Sequence, residues 1–482
     1  MQQIRAWRQK HARAIVQELI DFVSVPNNVY LPEQIQANAR VLQAMLERRG
    51  VRVEQWPMEG GRVAVFGELP GPGAGAPTVL IYGHYDGVPV EPEHWHSDPY
   101  VPVLRKVGHD GRLTDWSTIP VPADGEFGYG WRLFGRSVAD SKNAIVAILA
   151  ALDAIAATRR APGVNVKFLF DGAEEIESPG LPALIASHAD RLKADCVISA
   201  SGETYQDGLP TVEFGVRGIL MFELTVYTTT VEMHSGHFGN FAPNAAIRLA
   251  ELLTLLKGPD GKVAVEGFYD DAVPLSSVER EAIQAIRPLE DVLQNEFGIA
   301  RPEVDGHLLQ ELVNMPTLNL RGMRSGFVGE EARNIVPRMA VADFDARLVK
   351  GMDPDRTFRR ILAHLERHGW TVLDHEPSLL ELRTHERVVK AVKRAGFPAT
   401  RTSMDSPTAQ GVVRAMRRAI EGDLVVMPSE GGSLPMHLFG MDFVGLPTSN
   451  SDCNQHTHDE NLVLGFFFRG IDQFASLLLG NW

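Results

Sequence analysis

VNVKFLFDGAEE, residues 164–175, strings β-branched and aromatic residues together as far as Phe170, turns at Asp171-Gly172 and ends on two adjacent carboxylates, Glu174 and Glu175. A short apolar run closed by a turn signal is the pattern of a buried strand. PTVLIYGHYD, residues 77–86, repeats it and opens into Gly-His, and ADCVISASGE, residues 194–203, repeats it again. Between the first two lies NAIVAILAALDAIAA, residues 143–157, Ala-rich and apolar at helical spacing. Apolar strands alternating with such helices predict an α/β fold with a mainly parallel sheet. In such sheets ligands bind beyond the carboxyl ends of the strands. His84, Glu174, Glu175 and the turn at 200–203 all fall at such ends.

Further along, the pattern changes. GILMFELTVYTTT, from Gly218, alternates more, AAIRLAELLTLLKG reads as a long helix, and AVADFDARLV followed by TFRRILAHLERHGW reads as strand then helix. The block 212–382 is expected to be an inserted α+β lid and dimerisation domain, with 1–211 and 383–482 as the two parts of the catalytic domain. Segment 96–133, rich in Pro, Gly, Asp and Trp, is expected to be an ordered surface excursion.

At 482 residues the chain is too long for one small core. A 44% hydrophobic, 22% charged composition fits a globular protein. The net charge of -14 argues against a nucleic-acid partner and gives no hint of an anionic membrane surface. Two cysteines, Cys196 and Cys453, exclude a disulfide framework and a Cys-rich zinc site, and favour a reducing, cytoplasmic setting. Residues 4–23 read as an amphipathic helix rather than a signal peptide, and no run is apolar and long enough to span a bilayer.

Four acid/His blocks carry the chemistry: HYD at 84–86, DSK at 140–142, EE at 174–175 and HTH at 456–458. Each alone has an ordinary explanation. A His-x-Asp triplet is often a solvated turn, a lone Asp before a helix is usually an N-cap, paired glutamates usually end a helix in solvent, and His-x-His is often polar loop. Together they supply the imidazoles and carboxylates that a hydrolytic zinc centre requires. Two acids directly after a buried strand suit a metal ligand beside a general base whose pKa burial raises. Asp86, two residues after His84, is placed to accept the imidazole N–H and fix its tautomer.

The ordered set GHYDGVPV, LFGRSVADSKNAI, FLFDGAEEIES, EMHSGHFGNFAPN, EARNIVPRMAVADFDARLVKGMDP, PSEGGSLP and NQHTHDEN resembles, nearly end to end, the co-catalytic zinc metallopeptidase family of carnosinases, aminoacylase-1 and glutamate-type carboxypeptidases. The resemblance implies two divalent ions, zinc with manganese or cobalt as substitutes. His84 would bind one and His456 the other, with Asp140 bridging and Glu175 completing the His456 ion. Glu174 would be the general base, with Asp86 behind His84. His234 would reach a partner subunit's active site, making the protein a homodimer. Arg347 would clamp the substrate's terminal carboxylate in a pocket lined by Gly432 and Ser433; without that role it is a strand-surface ion pair.

The chain departs from the family's pattern where an aspartate ligand usually follows the double glutamate: Ser201 stands there. A hydroxyl is a poor zinc ligand beside a carboxylate. In an extended segment Glu203 would share Ser201's face and reach the metal in its stead; the rival is a weakened or single-metal site. Asn143 replaces the usual glycine after Lys142, and segment 96–133 is long. The expected activity is metal-dependent hydrolysis of an amide bond in a dipeptide or at a C-terminal residue. A sibling reading takes an N-acyl or N-carbamoyl amino acid, and a reading from another class is a non-catalytic binding protein on the same fold.

Overall fold

Eight strands make the sheet that positions the site: β1 (Arg52–Pro57), β2 (Val63–Leu69), β3 (Thr78–His84), β4 (Asn165–Asp171), β5 (Cys196–Ser199), β6 (Thr211–Glu213), β7 (Val425–Met427) and β8 (Asp442–Gly445). Their order is β1-β2-β4-β3-β5-β8-β6-β7. The central pairs β4–β3, β3–β5 and β5–β8 are parallel, while β1–β2 and β2–β4 are antiparallel. Every residue of β3 after Thr78 is buried. Burial of an aliphatic side chain such as Val79, Leu80 or Ile81 contributes about 1.5–3 kcal/mol each. The parallel register pairs His84 with Asp171 and Tyr82 with Ser199. The three loops that follow β3, β4 and β5 therefore leave the sheet at one edge.

This computed structural model describes residues 1–480 except 74, 108–112, 114, 123–124 and 126. The chain divides into two units. Unit 1, which holds the large sheet, comprises Met1–Phe214, Thr402–Pro428 and Leu438–Trp482. Its helix Asn143–Ala157 buries residues on every side, as an all-round apolar helix must, and packs against helix Leu464–Leu478. Part of the 96–133 excursion lies outside the described residues. Of its described flanks, Val103–Lys106 pairs with Trp131–Phe134, which pairs in turn with Asn461–Val463, a three-stranded sheet that anchors the end of the HTH turn. The Arg105 guanidinium lies over the rings of Trp116 (5.0 Å) and Phe134 (4.6 Å).

Unit 2 comprises Gly215–Arg401 and Ser429–His437. Its five strands run in the order Thr317–Ser325, Met339–Leu348, Gly218–Tyr227, Val388–Phe397, Thr371–Leu373, antiparallel except for the last pair. Met339–Leu348 alternates strictly between buried and half-buried residues, the mark of a sheet with one covered face. Phe222 and Phe344 stack at 4.9 Å in the core, and helices Ala245–Leu256 and Pro354–Arg367 lay Leu249, Leu252, Ile361 and Leu365 into it. Asn244 and Asp353 cap those helices by accepting backbone N–H groups of the first turn.

The contact division differs from the expected limits of 212 and 382. Val388–Phe397 pairs with Gly218–Tyr227 and buries Val388 and Val389, so this unit continues to Arg401. The Arg217 N–H donates to Gly432 O, which ties 429–437 to the same unit. No helix among the described residues is long and apolar enough to cross a membrane.

Candidate metal centre

Five side chains of unit 1 meet at the edge where β3, β4 and β5 end: His84 at the end of β3, and Asp140, Glu174, Glu175 and His456 from three other segments. Asp140 lies in the turn Val138–Lys142 that precedes helix Asn143–Ala157. Its Oδ1 is 2.9 Å from His84 Nε2 and its Oδ2 is 3.1 Å from His456 Nε2. Glu175 Oε2 lies 3.0 Å from the same His456 nitrogen. Glu174 Oε2 stands 3.9 Å from His84 Nε2. His84, Asp140 and Glu175 each offer a ligand atom within 4.8 Å of the others.

The donor set fits a zinc-type cation. Imidazole nitrogens and carboxylate oxygens held about 2.0–2.1 Å from a tetrahedral ion stand about 3.4 Å from each other, close to the separations here. Asp140 turns one oxygen to each imidazole, as a bridging carboxylate must. Asp86 Oδ1 lies 3.4 Å from His84 Nδ1, and its other oxygen accepts the Glu175 N–H (3.0 Å). The loops after β3 and β4 are thereby tied together behind the candidate ligands, an arrangement that orients them.

Electrostatics within the cluster are strong. Burial pushes Glu174 up to about 8; the His84 charge opposes this, while Glu175, Asp140 and Asp86 add to it. Burial also raises Glu175, against the hydrogen bond from His456. Asp140 goes the other way. Burial would raise it, but hydrogen bonds to His456 and His84 outweigh that and hold it well below the usual carboxylate range. Burial would lower His84, yet Glu174, Asp140 and Asp86 hold it well above the usual imidazole range. Hydrogen bonds to Asp140 and Glu175 raise His456 to about 10. Such a concentration of buried acid beside two imidazoles favours positive charge at its centre.

A layer of non-ligands fixes the loops. Glu460, buried, accepts Arg136 Nη1–H (2.9 Å) and Ser137 N–H (2.7 Å) on one oxygen, and Ala139 N–H (2.9 Å) and Asp140 N–H (3.0 Å) on the other. Arg136 also donates to Thr457 O (2.9 Å), beside His456. Asn454, His456 and Asp459 all have φ between 55° and 60°, the left-handed region that non-glycine residues avoid. The Arg136 and Asn461 contacts hold the turn in that shape. Under β4, Asp171 accepts Tyr82 O–H (3.1 Å), Ser178 O–H (2.7 Å) and Ala173 N–H (2.8 Å). At Gly172 a Cβ would stand 2.5 Å from Val63 O, so only glycine permits this turn before the glutamates.

The remaining expected residues divide. Glu203 does not join the cluster: its Oε1 accepts the Cys453 S–H at 3.1 Å. Ser201 lies nearer, with Oγ 2.6 Å from Ser141 Oγ, which is itself 2.8 Å from His84 Nε2. In unit 2, Arg347 Nη1 donates to Ser433 Oγ (2.7 Å), beside Gly432. His234, on strand Met233–His234, is exposed and its Nδ1 accepts the Gly236 N–H. Arg136, Ser141, Asp171 and Glu460 were not singled out from sequence. The signals available were the acid pair that follows HTH and the arginine inside the apolar LFGRSVA.

The profile described as Peptidase family M20/M25/M40 matches residues 80–480. The chain is 25% identical over 485 residues to the Cys-Gly metallodipeptidase dug1 of Schizosaccharomyces pombe, covering 97% of this chain and 94% of that one. It is 24% identical over 497 residues to the Beta-Ala-His dipeptidase of Homo sapiens, covering 97% and 90%. Among solved structures, the M20 family metallo-carboxypeptidase Sso-CP2 from Sulfolobus solfataricus superimposes with a TM-score of 0.77 at 26% identity, covering 96% of this chain and 98% of that one. Human carnosine dipeptidase 1 shares the fold with a TM-score of 0.74 at 23% identity, covering 99% and 98%. The chain belongs to peptidase family M20/M25/M40, the family its ordered motifs point to, and is an enzyme, a metallopeptidase.

Proposed function

We propose that this member of peptidase family M20/M25/M40 hydrolyses the amide bond of a dipeptide, or of the C-terminal residue of a short peptide, at a divalent-metal centre formed by His84, Asp140, Glu175 and His456. The observation that carries this is Asp140, whose two oxygens each face an imidazole while Glu174 and Glu175 stand beside them. Zinc ions held there supply Lewis acidity to the scissile carbonyl and acidify the attacking water.

The chain's own groups do the rest. Glu174 takes the water's proton and returns it to the leaving amine; a carboxylate raised to about 8 by burial is poised for both transfers near neutral pH. Asp86 orients His84 through the far ring nitrogen. Arg347, with Ser433 and Gly432, takes the substrate's terminal carboxylate, a task suited to a guanidinium fork. His234 of the partner subunit steadies the oxyanion in a homodimer. The exposed Phe241, Met323 and Val328 of unit 2 support a covered surface there. The two buried free thiols, Cys196 and Cys453, support a reducing, cytoplasmic setting.

The dipeptidase names of the relatives support the substrate class. The test is a panel of dipeptides, tripeptides and N-acyl amino acids assayed with zinc- and manganese-loaded protein. Turnover of unmodified dipeptides is expected. Turnover of N-acyl amino acids alone would replace the reading with an amidohydrolase.

A further inference from the structure

The cluster is not symmetric about Asp140. On the His456 side, Asp140 Oδ2 (3.1 Å) and Glu175 Oε2 (3.0 Å) both face the imidazole nitrogen, so two carboxylates share that half. On the His84 side, Asp140 Oδ1 lies 2.9 Å and the Ser141 hydroxyl 2.8 Å from Nε2. Behind it comes a second hydroxyl, Ser201 Oγ, 2.6 Å from Ser141 Oγ. Glu174 Oε2 is more distant, 3.9 Å from His84 Nε2, and Asp86 is engaged on the opposite ring nitrogen. Glu203, the acid nearest in sequence to Ser201, is turned to Cys453, and a backbone bridge to Ser449 pins its segment.

We infer that the two halves hold divalent cations with unequal strength: a resident ion in the half built from His456, Glu175 and Asp140, and a readily exchanged ion in the half built from His84, Asp140, Ser141 and Ser201. Resting on the metal centre proposed above, this assigns a departure of this chain's own residues a consequence for its metal content. A dication in the first half has Glu175 to itself and shares Asp140, whereas in the second it has only the shared Asp140 and neutral hydroxyls. Affinity for a hard or borderline cation follows the count of charged ligands, and replacing one anionic donor by a hydroxyl weakens a site on the order of 100-fold or more. The enzyme therefore carries about one tightly held ion per chain and fills its second half only at higher free metal.

The experiment is zinc titration of the full-length protein, stripped by dialysis against a chelator, with bound metal counted by mass spectrometry after equilibrium dialysis. Two binding steps separated by at least about 100-fold are expected. Glu175→Gln should weaken the first step, and His84→Ala should remove only the second. Ser201→Asp should tighten the second step by at least about 10-fold, while Ser201→Asn, similar in shape but uncharged, should not. Circular dichroism of each variant checks folding. Two equal steps in the unaltered protein, or a Ser201→Asp variant that folds and leaves the second step in place, would overturn the inference. Failure to bind any zinc would instead remove the metal centre itself.

Discussion

Replacing Glu460 by glutamine tests whether the non-ligand layer holds the centre together. The change keeps the side chain's shape and removes its charge. The glutamate accepts four hydrogen bonds, and its charge offsets Arg136, which is only 3% exposed and lies 5.1 Å from the Trp95 ring centroid. A glutamine oxygen serves one pair of donors, and its NH2 group faces the other pair, so two hydrogen bonds are lost. Each buried N–H left unmet costs about 1–3 kcal/mol. Removing one member of a buried ion pair costs about 3–5 kcal/mol because the other charge stays buried. The terms overlap, and a net loss of about 3–5 kcal/mol is expected.

The same substitution releases the Asp140 N–H and loosens the Arg136 contact to Thr457, the anchors of two candidate ligands. Zinc affinity should then fall on the order of 10–100-fold. Urea unfolding followed by tryptophan fluorescence gives the stability, and competition with a chromophoric chelator gives the affinity. Arg136→Met in the Glu460→Gln background should recover part of the stability, since it removes the stranded charge. A Glu460→Gln protein less than about 1 kcal/mol weaker, with unchanged zinc affinity, would refute this account of the layer.

Glu174→Gln should lower kcat by about 10²–10⁴-fold with zinc content intact, measured by steady-state assay beside metal analysis; a loss within tenfold would reject the general-base role. Arg347→Met should raise KM for a free dipeptide by about 10–100-fold and leave kcat/KM for its C-terminal amide almost unchanged; equal losses on both substrates would reject the carboxylate clamp. Burial, aided by the Asp86 charge, raises Asp171 to about 6 from an ordinary 3.8. Its protonated form is thus favoured in the folded state, so the stability it contributes is full below pH 4 and is lost as pH climbs through 6, by about 3 kcal/mol in all. Urea midpoints at pH 4, 5, 6 and 7 should fall less steeply for Asp171→Asn than for the unaltered chain, and parallel curves would reject this.

The strands that end at the site were legible because both of their faces are buried and their apolar runs are nearly unbroken, as in β3. The four acid/His blocks were legible as candidates because three of them follow such a run or a glycine turn. Glu203 was misplaced for a definite reason. The expectation that it shares Ser201's face assumed an extended segment, and Gly202 between them has φ 106°, which breaks the two-residue alternation and sends Glu203 towards Cys453. The contact division departs from the expected limit at 382 because Val388–Phe397, with two lysines and an arginine among apolar residues, announces no partner. Its place is set by pairing with a strand some 170 positions earlier, Gly218–Tyr227. The Arg136–Glu460 pair was invisible for the same cause: its members are 324 residues apart.

The ligand geometry and the sheet are one construction. Register pairs His84 with Asp171, and Asp171 then holds the turn that carries Glu174 and Glu175 by accepting Ser178 O–H and Ala173 N–H. Those glutamates, with Asp86 and Asp140, place several carboxylates in a buried volume; burial drives Glu174 up to about 8, and repulsion from Glu175, Asp140 and Asp86 adds to it. A fold assembles such a cluster only if other contacts hold it. Here the Glu460 and Asp171 networks do so, built on two carboxylates outside the candidate ligand set. A divalent cation relieves the same repulsion, so binding it stabilises the folded chain as well as equipping it for hydrolysis. Asp86 and Glu174 both face His84, so the inferred difference in grip between the two halves rests on which carboxylates are placed as ligands, Glu175 beside His456, and not on the total charge around each imidazole.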